Sequence, residues 1–256
     1  MTAGAAVTGV GVVTGWGAGV DALPDDARSA ARGRRVVGIA TPATPGERFR
    51  RATRECLLGI TAVDAALVDA GLGRADVRGL RTALVYATAG GYGASNRAFI
   101  ESATSGALHF PYTAPSAVPA EVTIELGLTG PYVILIGGAA ATGDALWQAG
   151  RLVDRGQADR ALVLAVETFR ECEALWTRAR WLVRWPLTEA AACAVIEARE
   201  HAVPGVSPTA AQAAAVRRRV GETASVGPLI ALALARAEGE RRVAGTRDVA
   251  PRGGVA

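Results

Sequence analysis

At 256 residues, half of them apolar and only 5% aromatic, the chain is long enough for one domain with a sizeable core. Its formal net charge of +4 comes from basic residues that are all Arg, which points to a coding bias rather than to polyanion binding. No base-reading motif accompanies the clusters at 32–35, 48–54 and 217–219, so no nucleic-acid partner is expected. Solvated faces explain the arginines first, and docking of an acidic partner by charge steering second. No apolar run of about 18 residues reads as a membrane span, and the first 20 residues lack the pattern of a signal peptide; a cytoplasmic protein is expected.

The period of the apolar residues sets the elements in chain order. Ala6 to Thr14 reads as a strand, followed by an irregular Gly/Pro/Arg-rich stretch from Trp16 to Pro45 that holds a short strand at Val36–Ile39. Gly46 to Gly71 reads as one long amphipathic helix closed by glycine. Arg81 to Thr88 is a strand leading into the glycine turn Gly90-Gly91-Tyr92-Gly93, then a helix at Ser95–Ser102 and a loop at Ala103–Ser116. A helix from Ala120 leads to the strand Tyr132–Ile136, a turn at Gly137–Ala141 and a helix at Asp144–Asp154. Strands at Arg160–Val166 and Ala191–Glu197 complete the pattern. Strands separated by helices give an α/β fold with a mostly parallel sheet covered on both faces.

The turn at 137–141 is the most informative stretch. A buried strand entering a tight turn and a helix is the setting in which many enzymes present a nucleophile, yet Gly137, Gly138, Ala139, Ala140 and Ala141 offer none. Cys56 and Cys193 read as small buried residues. Glu171 and Glu173 beside Cys172 push its thiol away from the reactive form. The cysteines make neither a zinc pattern nor a disulfide framework, so no metal is expected. Gly90-Gly91-Tyr92-Gly93 lacks the lysine of a phosphate loop, and Gly9-Val10-Gly11 lacks the third glycine of a dinucleotide fingerprint. Close helix–strand approach explains both, and no cofactor is expected.

Several segments resemble β-ketoacyl synthases of the thiolase fold. Val7–Thr14 looks like the family's opening strand, and Ala120–Gly130 like the helix before the active-site strand. Gly130 to Leu146 looks like that strand and its elbow. Arg151–Glu167 and Leu187–Ala202 look like the elements that close the N-terminal half. The resemblance implies a thiolase-like layered α/β/α fold, truncated, with the first half largely complete over 1–202. Residues 203–239 would hold a late helix of an otherwise missing second half, and 240–256 a flexible tail. Counting from Gly130-Pro131 puts Ala139 where the family's reactive Cys sits. In Gly221–Gly239, Glu222 stands where a catalytic His would be, although an ordinary apolar C-terminal helix would read alike. His109 and His201 match no catalytic His of the family. The resemblance therefore implies no catalytic residue and no activity of the chain by itself.

What the resemblance implies instead is a chain-length-factor-like subunit of a type II polyketide or polyene synthase. Its partner would be a full-length β-ketoacyl synthase, in a heterodimer or a dimer of heterodimers, serving an acyl carrier protein through the complex. The chemistry would lie in the partner, and this chain would stabilise it and shape its acyl pocket. The loop before the Ala120 helix supplies the pocket candidates His109, Phe110, Tyr112, Thr113 and Ser116; an ordinary proline-pinned surface loop is the alternative. Two other readings compete: a non-enzymatic acyl-binding scaffold or homodimer, and a malonyl decarboxylase or acyltransferase with a different nucleophile.

Overall fold

The computed structural model describes residues 4–43, 49, 52–102, 109–178, 184–199 and 209–247. The chain begins with β1 (Gly4–Thr14), which folds back on the two-residue β2 (Gly17–Ala18). The short helix α1 (Ala27–Ala31) and β3 (Val36–Val37) follow. Next come α2 (Arg54–Asp69), β4 (Thr82–Thr88), α3 (Gly93–Glu101) and α4 (Ala117–Leu126). The central crossover is β5 (Tyr132–Ile136), α5 (Ala139–Asp154) and β6 (Arg160–Glu167). The short helix α6 (Glu173–Arg178) and β7 (Leu187–Thr188) precede β8 (Ala190–Arg199), α7 (Ala210–Val220) and α8 (Gly227–Arg247).

Six strands form one sheet in the order β2-β1-β8-β6-β4-β5. The pairs β4·β5 and β4·β6 are parallel, whereas β8 runs antiparallel to both β6 and β1. The sheet is therefore mixed, not mostly parallel: β8 returns beside β6 in the opposite sense. The central strands carry near-continuous apolar sequence because both their faces are covered; every residue of β4 is buried. One face packs α2 and α4 against Leu84, Tyr86, Leu162, Leu164, Cys193 and Val195. The other packs α5, α7 and α8 against Val85, Ala87, Val163, Ala165, Ala192 and Ala194. The result is the layered α/β/α arrangement that the helix–strand alternation implies.

Close approach shapes the first layer. A Cβ on Gly9 or Gly11 would fall inside contact distance of the α2 backbone at Ala66 and Ala70, or at Ala62 and Ala66. Those glycines serve packing, as the sequence suggests.

Several boundaries differ from the sequence reading. Helix α2 opens at Arg54, because Thr53 is extended (φ −74°, ψ 163°) and its hydroxyl accepts the Cys56 N–H as an N-cap. The expected helical residues 46–48, 50 and 51 lie outside the described residues. Helix α4 spans 117–126 and stops at Gly127, which takes the left-handed conformation (φ 66°). Helix α5 begins at Ala139, so the last three residues of the expected turn are its first helical turn. Helices α1, α6 and α7 were not expected. Helix α8 runs to Arg247, so 240–247 are helical rather than a tail, and 248–256 lie outside the described residues.

Candidate functional site

The elbow forms where β5 ends at the margin of the sheet. The Gly137 N–H donates to Thr88 O at 2.8 Å, which ties the turn to the end of β4. Gly138 caps α5 without a side-chain hydrogen bond, and Ala139 is the first helical residue. Ala139 and Ala140 are exposed, while Thr142 is buried and its hydroxyl donates to Ser225 O at 2.6 Å. No side-chain oxygen, nitrogen or sulfur is available from Gly137 to Ala141.

Beside the elbow is a cavity of about 580 Å³. Its walls are the first turns of α5 (Ala139, Ala140, Gly143, Asp144, Trp147), one face of α7 (Ala213, Val216, Arg217) and the segment from Gly221 to Pro228. The structure thus brings Ala139 and Glu222, the two positions singled out by sequence, to one cavity although 83 residues separate them in the chain. The Glu222 carboxylate pairs with Arg217 at 3.2 Å and accepts the Ala224 N–H at 3.1 Å. Its backbone N–H donates to Pro186 O, and its carbonyl accepts from Thr188 N.

Two buried carboxylates lie behind this surface. Glu167, at the end of β6, accepts N–H groups from Ala89 and Gly90 and the Ser225 hydroxyl. Burial nonetheless lifts its carboxyl above the usual range, against the pull of those hydrogen bonds. Glu189, between β7 and β8, is gripped by Arg54 at 2.6 and 2.8 Å and accepts the N–H groups of Ile39 (2.8 Å) and Phe169 (3.0 Å). Here burial pushes upward, but the Arg54 hydrogen bonds, the backbone donors and the Arg54 charge outweigh it and hold the carboxyl below its usual range.

A second cavity, of about 450 Å³, opens between the start of α2, helix α3 and the 3-10 turn Phe110–Thr113. Of the loop candidates, His109 and Tyr112 line it; Phe110, Thr113 and Ser116 do not. Phe110 is exposed and packs edge-on against Phe99, with ring centroids 5.9 Å apart. The Thr113 hydroxyl donates to Phe110 O at 2.7 Å, and Ser116 precedes α4 without capping it through its side chain. His201 lies outside the described residues. The sequence reading missed the α3 contribution, Ala94, Ser95, Ala98, Phe99 and Ser102. Their spacing of three and four places them on one helical face, a signal that could have been used.

The cysteines sit away from the elbow, and none is poised to react. Burial pushes the Cys56 thiol up to about 11 and raises Cys193 further. Burial first, then Glu171 and Glu167, raise Cys172. Among the described residues no group of three His, Cys, Asp or Glu side chains is placed to hold a metal ion. No helix among them is long and apolar enough to cross a membrane.

Residues 40–182 match the model of the family described as beta-ketoacyl synthase, N-terminal domain. The chain belongs to that family. The match contains the elbow, helices α3 and α5 and strands β4 to β6, and ends before α7 and Glu222. Solved structures carry the same fold: a β-ketoacyl synthase from Burkholderia phymatum STM815 aligns with a TM-score of 0.58 and 17% identity, over 85% of this chain and 70% of that one. A structure described as a type II PKS acyl-carrier protein in complex with its ketosynthase bound to the hexaketide aligns with a TM-score of 0.63 and 19% identity, over 78% of this chain and 64% of that one. The ishigamide ketosynthase/chain length factor aligns with a TM-score of 0.58 and 20% identity, over 83% of this chain and 70% of that one. The chain spans about two thirds of the length of these neighbours. No curated protein matches the sequence.

Proposed function

We propose that this chain is a non-catalytic, chain-length-factor-like subunit that pairs with an active β-ketoacyl-ACP synthase in type II polyketide or polyene biosynthesis. The observation that carries the reading is Ala139. It opens α5 at the point where the family presents its nucleophile, and its methyl group can neither attack a thioester nor accept a proton. Glu222, in the same cavity, is paired with Arg217 and does not offer the imidazole that the family uses there.

A partner is supported by the open edge of the sheet. Among the described residues, strand β5 pairs only with β4, and Ile124, Ile136 and Trp147 on α4, β5 and α5 are 59 to 69% exposed. Apolar side chains on consecutive elements beside an unpaired strand edge suit burial against another subunit. In this reading the partner performs the condensation. This chain stabilises the partner, and the cavity at α3, His109 and Tyr112 adjoins the far end of its acyl pocket.

Co-expression with a full-length β-ketoacyl synthase encoded beside it, then size exclusion with mass determination, tests the proposal. A stoichiometric complex is expected. A stable homo-oligomer that ignores the synthase would give first place to the acyl-binding scaffold. Thioester hydrolysis or malonyl decarboxylation by the isolated chain would restore an enzymatic reading.

A further inference from the structure

The 580 Å³ cavity beside the elbow carries a charged and an aromatic side chain that the fold does not use. Asp144 and Trp147 stand three residues apart on α5, which places them on one helical face, and both line the cavity. Among the described residues the Asp144 carboxylate has no hydrogen bond and no ion pair, and it lies past the first turn of α5, where it caps nothing. Its side chain is exposed. Trp147, the largest apolar residue of the helix, is 69% exposed.

The charges of the cavity leave one group unmatched. Its charged side chains are Asp144, Arg217 and Glu222. Arg217 and Glu222 pair at 3.2 Å, and Glu222 also accepts the Ala224 N–H. The free charge is therefore the negative one of Asp144. The remaining walls are small or apolar, with Ala139, Ala140, Ala213, Val216 and Pro228 among them. The volume falls in the range of small-molecule sites, about 300–1,000 Å³.

A carboxylate beside an uncovered indole, between apolar walls, suits an organic cation. The acid supplies the opposite charge, and the ring face attracts the cation through its quadrupole. A metal ion fits poorly: among the described residues no three ligating side chains converge, and the apolar walls offer nothing in place of its water shell. An anion would find Arg217 already paired. The start of α5, which favours negative charge, lies more than one turn before Asp144.

We propose that this cavity binds an amphipathic organic cation, its alkylammonium head seated between Asp144 and Trp147 and its hydrocarbon body along Ala213, Val216 and Pro228. The inference goes beyond the synthase pairing and does not rest on it. Trp147 is shared with the surface assigned above to a partner, so a seated synthase would border the site at the ring.

The test titrates octyltrimethylammonium and octanoate, both below micelle formation, into the full chain by calorimetry, in whichever form the sizing column yields, free or with the synthase. Wild type is compared with Asp144→Asn, Trp147→Leu and Asp25→Asn, the last making the same charge change at an exposed position outside the cavity. Neither Asp144 nor Trp147 is buried, so the variants should fold, and circular dichroism checks that they do. The cation should bind at least about fivefold more tightly than octanoate. Asp144→Asn should weaken cation binding about fivefold, the weight of one carboxylate at a wetted site, and Trp147→Leu about threefold. Asp25→Asn should match the wild type. Octanoate binding as tight as that of the cation would place recognition at the start of α5 and overturn the proposal. Equal affinity of wild type and Asp144→Asn for the cation would also overturn it, as would no binding to the wild type.

Discussion

The Ser225 hydroxyl donates to Glu167 Oε1 at 2.5 Å, joining the segment ahead of α8 to the end of β6 across 58 residues. Both side chains are fully buried, and Ser225 O accepts from Thr142 on α5. One serine therefore links a sheet strand, the helix of the elbow and the C-terminal helix. Removing its hydroxyl leaves Glu167 short of a donor in a site without water access. Ser225→Ala is expected to cost about 1–3 kcal/mol in urea unfolding. An unchanged midpoint would mean that the segment is held by α8 packing alone.

Glu167 and Glu189 should give opposite pH signatures. The folded-state pKa of Glu167 is raised, mainly by burial, so the folded protein holds a proton that the unfolded chain releases. Its contribution is fully present below the unfolded value near 4.5 and is lost as pH rises through the raised range. The Glu189 pKa is lowered, burial being outweighed by Arg54 and backbone donors, so its contribution is present above 4.5 and lost as pH falls below it. In urea titrations across pH, Glu167→Gln should compare best with the wild type at neutral pH, and Glu189→Gln best at acidic pH. Parallel curves for either variant would show that its carboxyl titrates as it does when unfolded.

Arg54 has a larger structural burden. It holds both Glu189 oxygens and donates to Ile39 O, so it fixes the chain on either side of the segment before α2. Arg54→Met would leave the buried Glu189 carboxylate with Arg170 at 3.9 Å and its two backbone donors, at a cost of up to about 3–5 kcal/mol. Adding Glu189→Gln to Arg54→Met should recover part of that loss. If the two costs simply add, the pair is not coupled.

The strands were legible because burial on both faces leaves long apolar runs: Tyr132–Ile136 was placed at its observed ends, and β4, β6 and β8 within a few residues. The reversed direction of β8 was not, since its sequence is as apolar as that of β6 and direction leaves no mark on a doubly covered strand. Helix α7 was hidden because its alanines and arginines give only a weak apolar face, with Val216 and Val220 buried. The turn at 137–141 was legible from the apolar run that enters it, whereas Ala139 and Glu222 were singled out only through the resemblance to the family. The α3 wall of the second cavity escaped notice because alanine and serine carry no chemical label. The Arg54–Glu189 pair escaped for a different reason: 135 residues separate its members.

Ala139→Cys should behave unlike any native cysteine. The thiol would stand exposed at the first position of α5, where the helix N-terminus favours the thiolate. The native thiols are all raised by burial, Cys56 to about 11. At pH 8 the variant should gain one rapidly alkylated site, identified by peptide mass after brief iodoacetamide treatment. In the proposed reading it should still form no carbon–carbon bond by itself, because the cavity offers Glu222 rather than imidazole. Condensation by the isolated variant would show that only the nucleophile had been lost.

Phe110→Ala and Phe99→Ala together probe the role of the second cavity. Phe99 lines it and Phe110 supports Phe99 edge-on from outside, so truncating either should enlarge or loosen the same wall. Phe110 is 63% exposed, and its removal should leave stability within about 1 kcal/mol of the wild type. In the reconstituted complex with the synthase, Phe110→Ala is expected to lengthen the products, and Phe99→Ala to lengthen them more because its ring faces the cavity. The check is the product distribution by mass spectrometry. If both variants give the wild-type distribution, the cavity does not bound the growing chain, and the 109–116 segment is an ordinary surface turn.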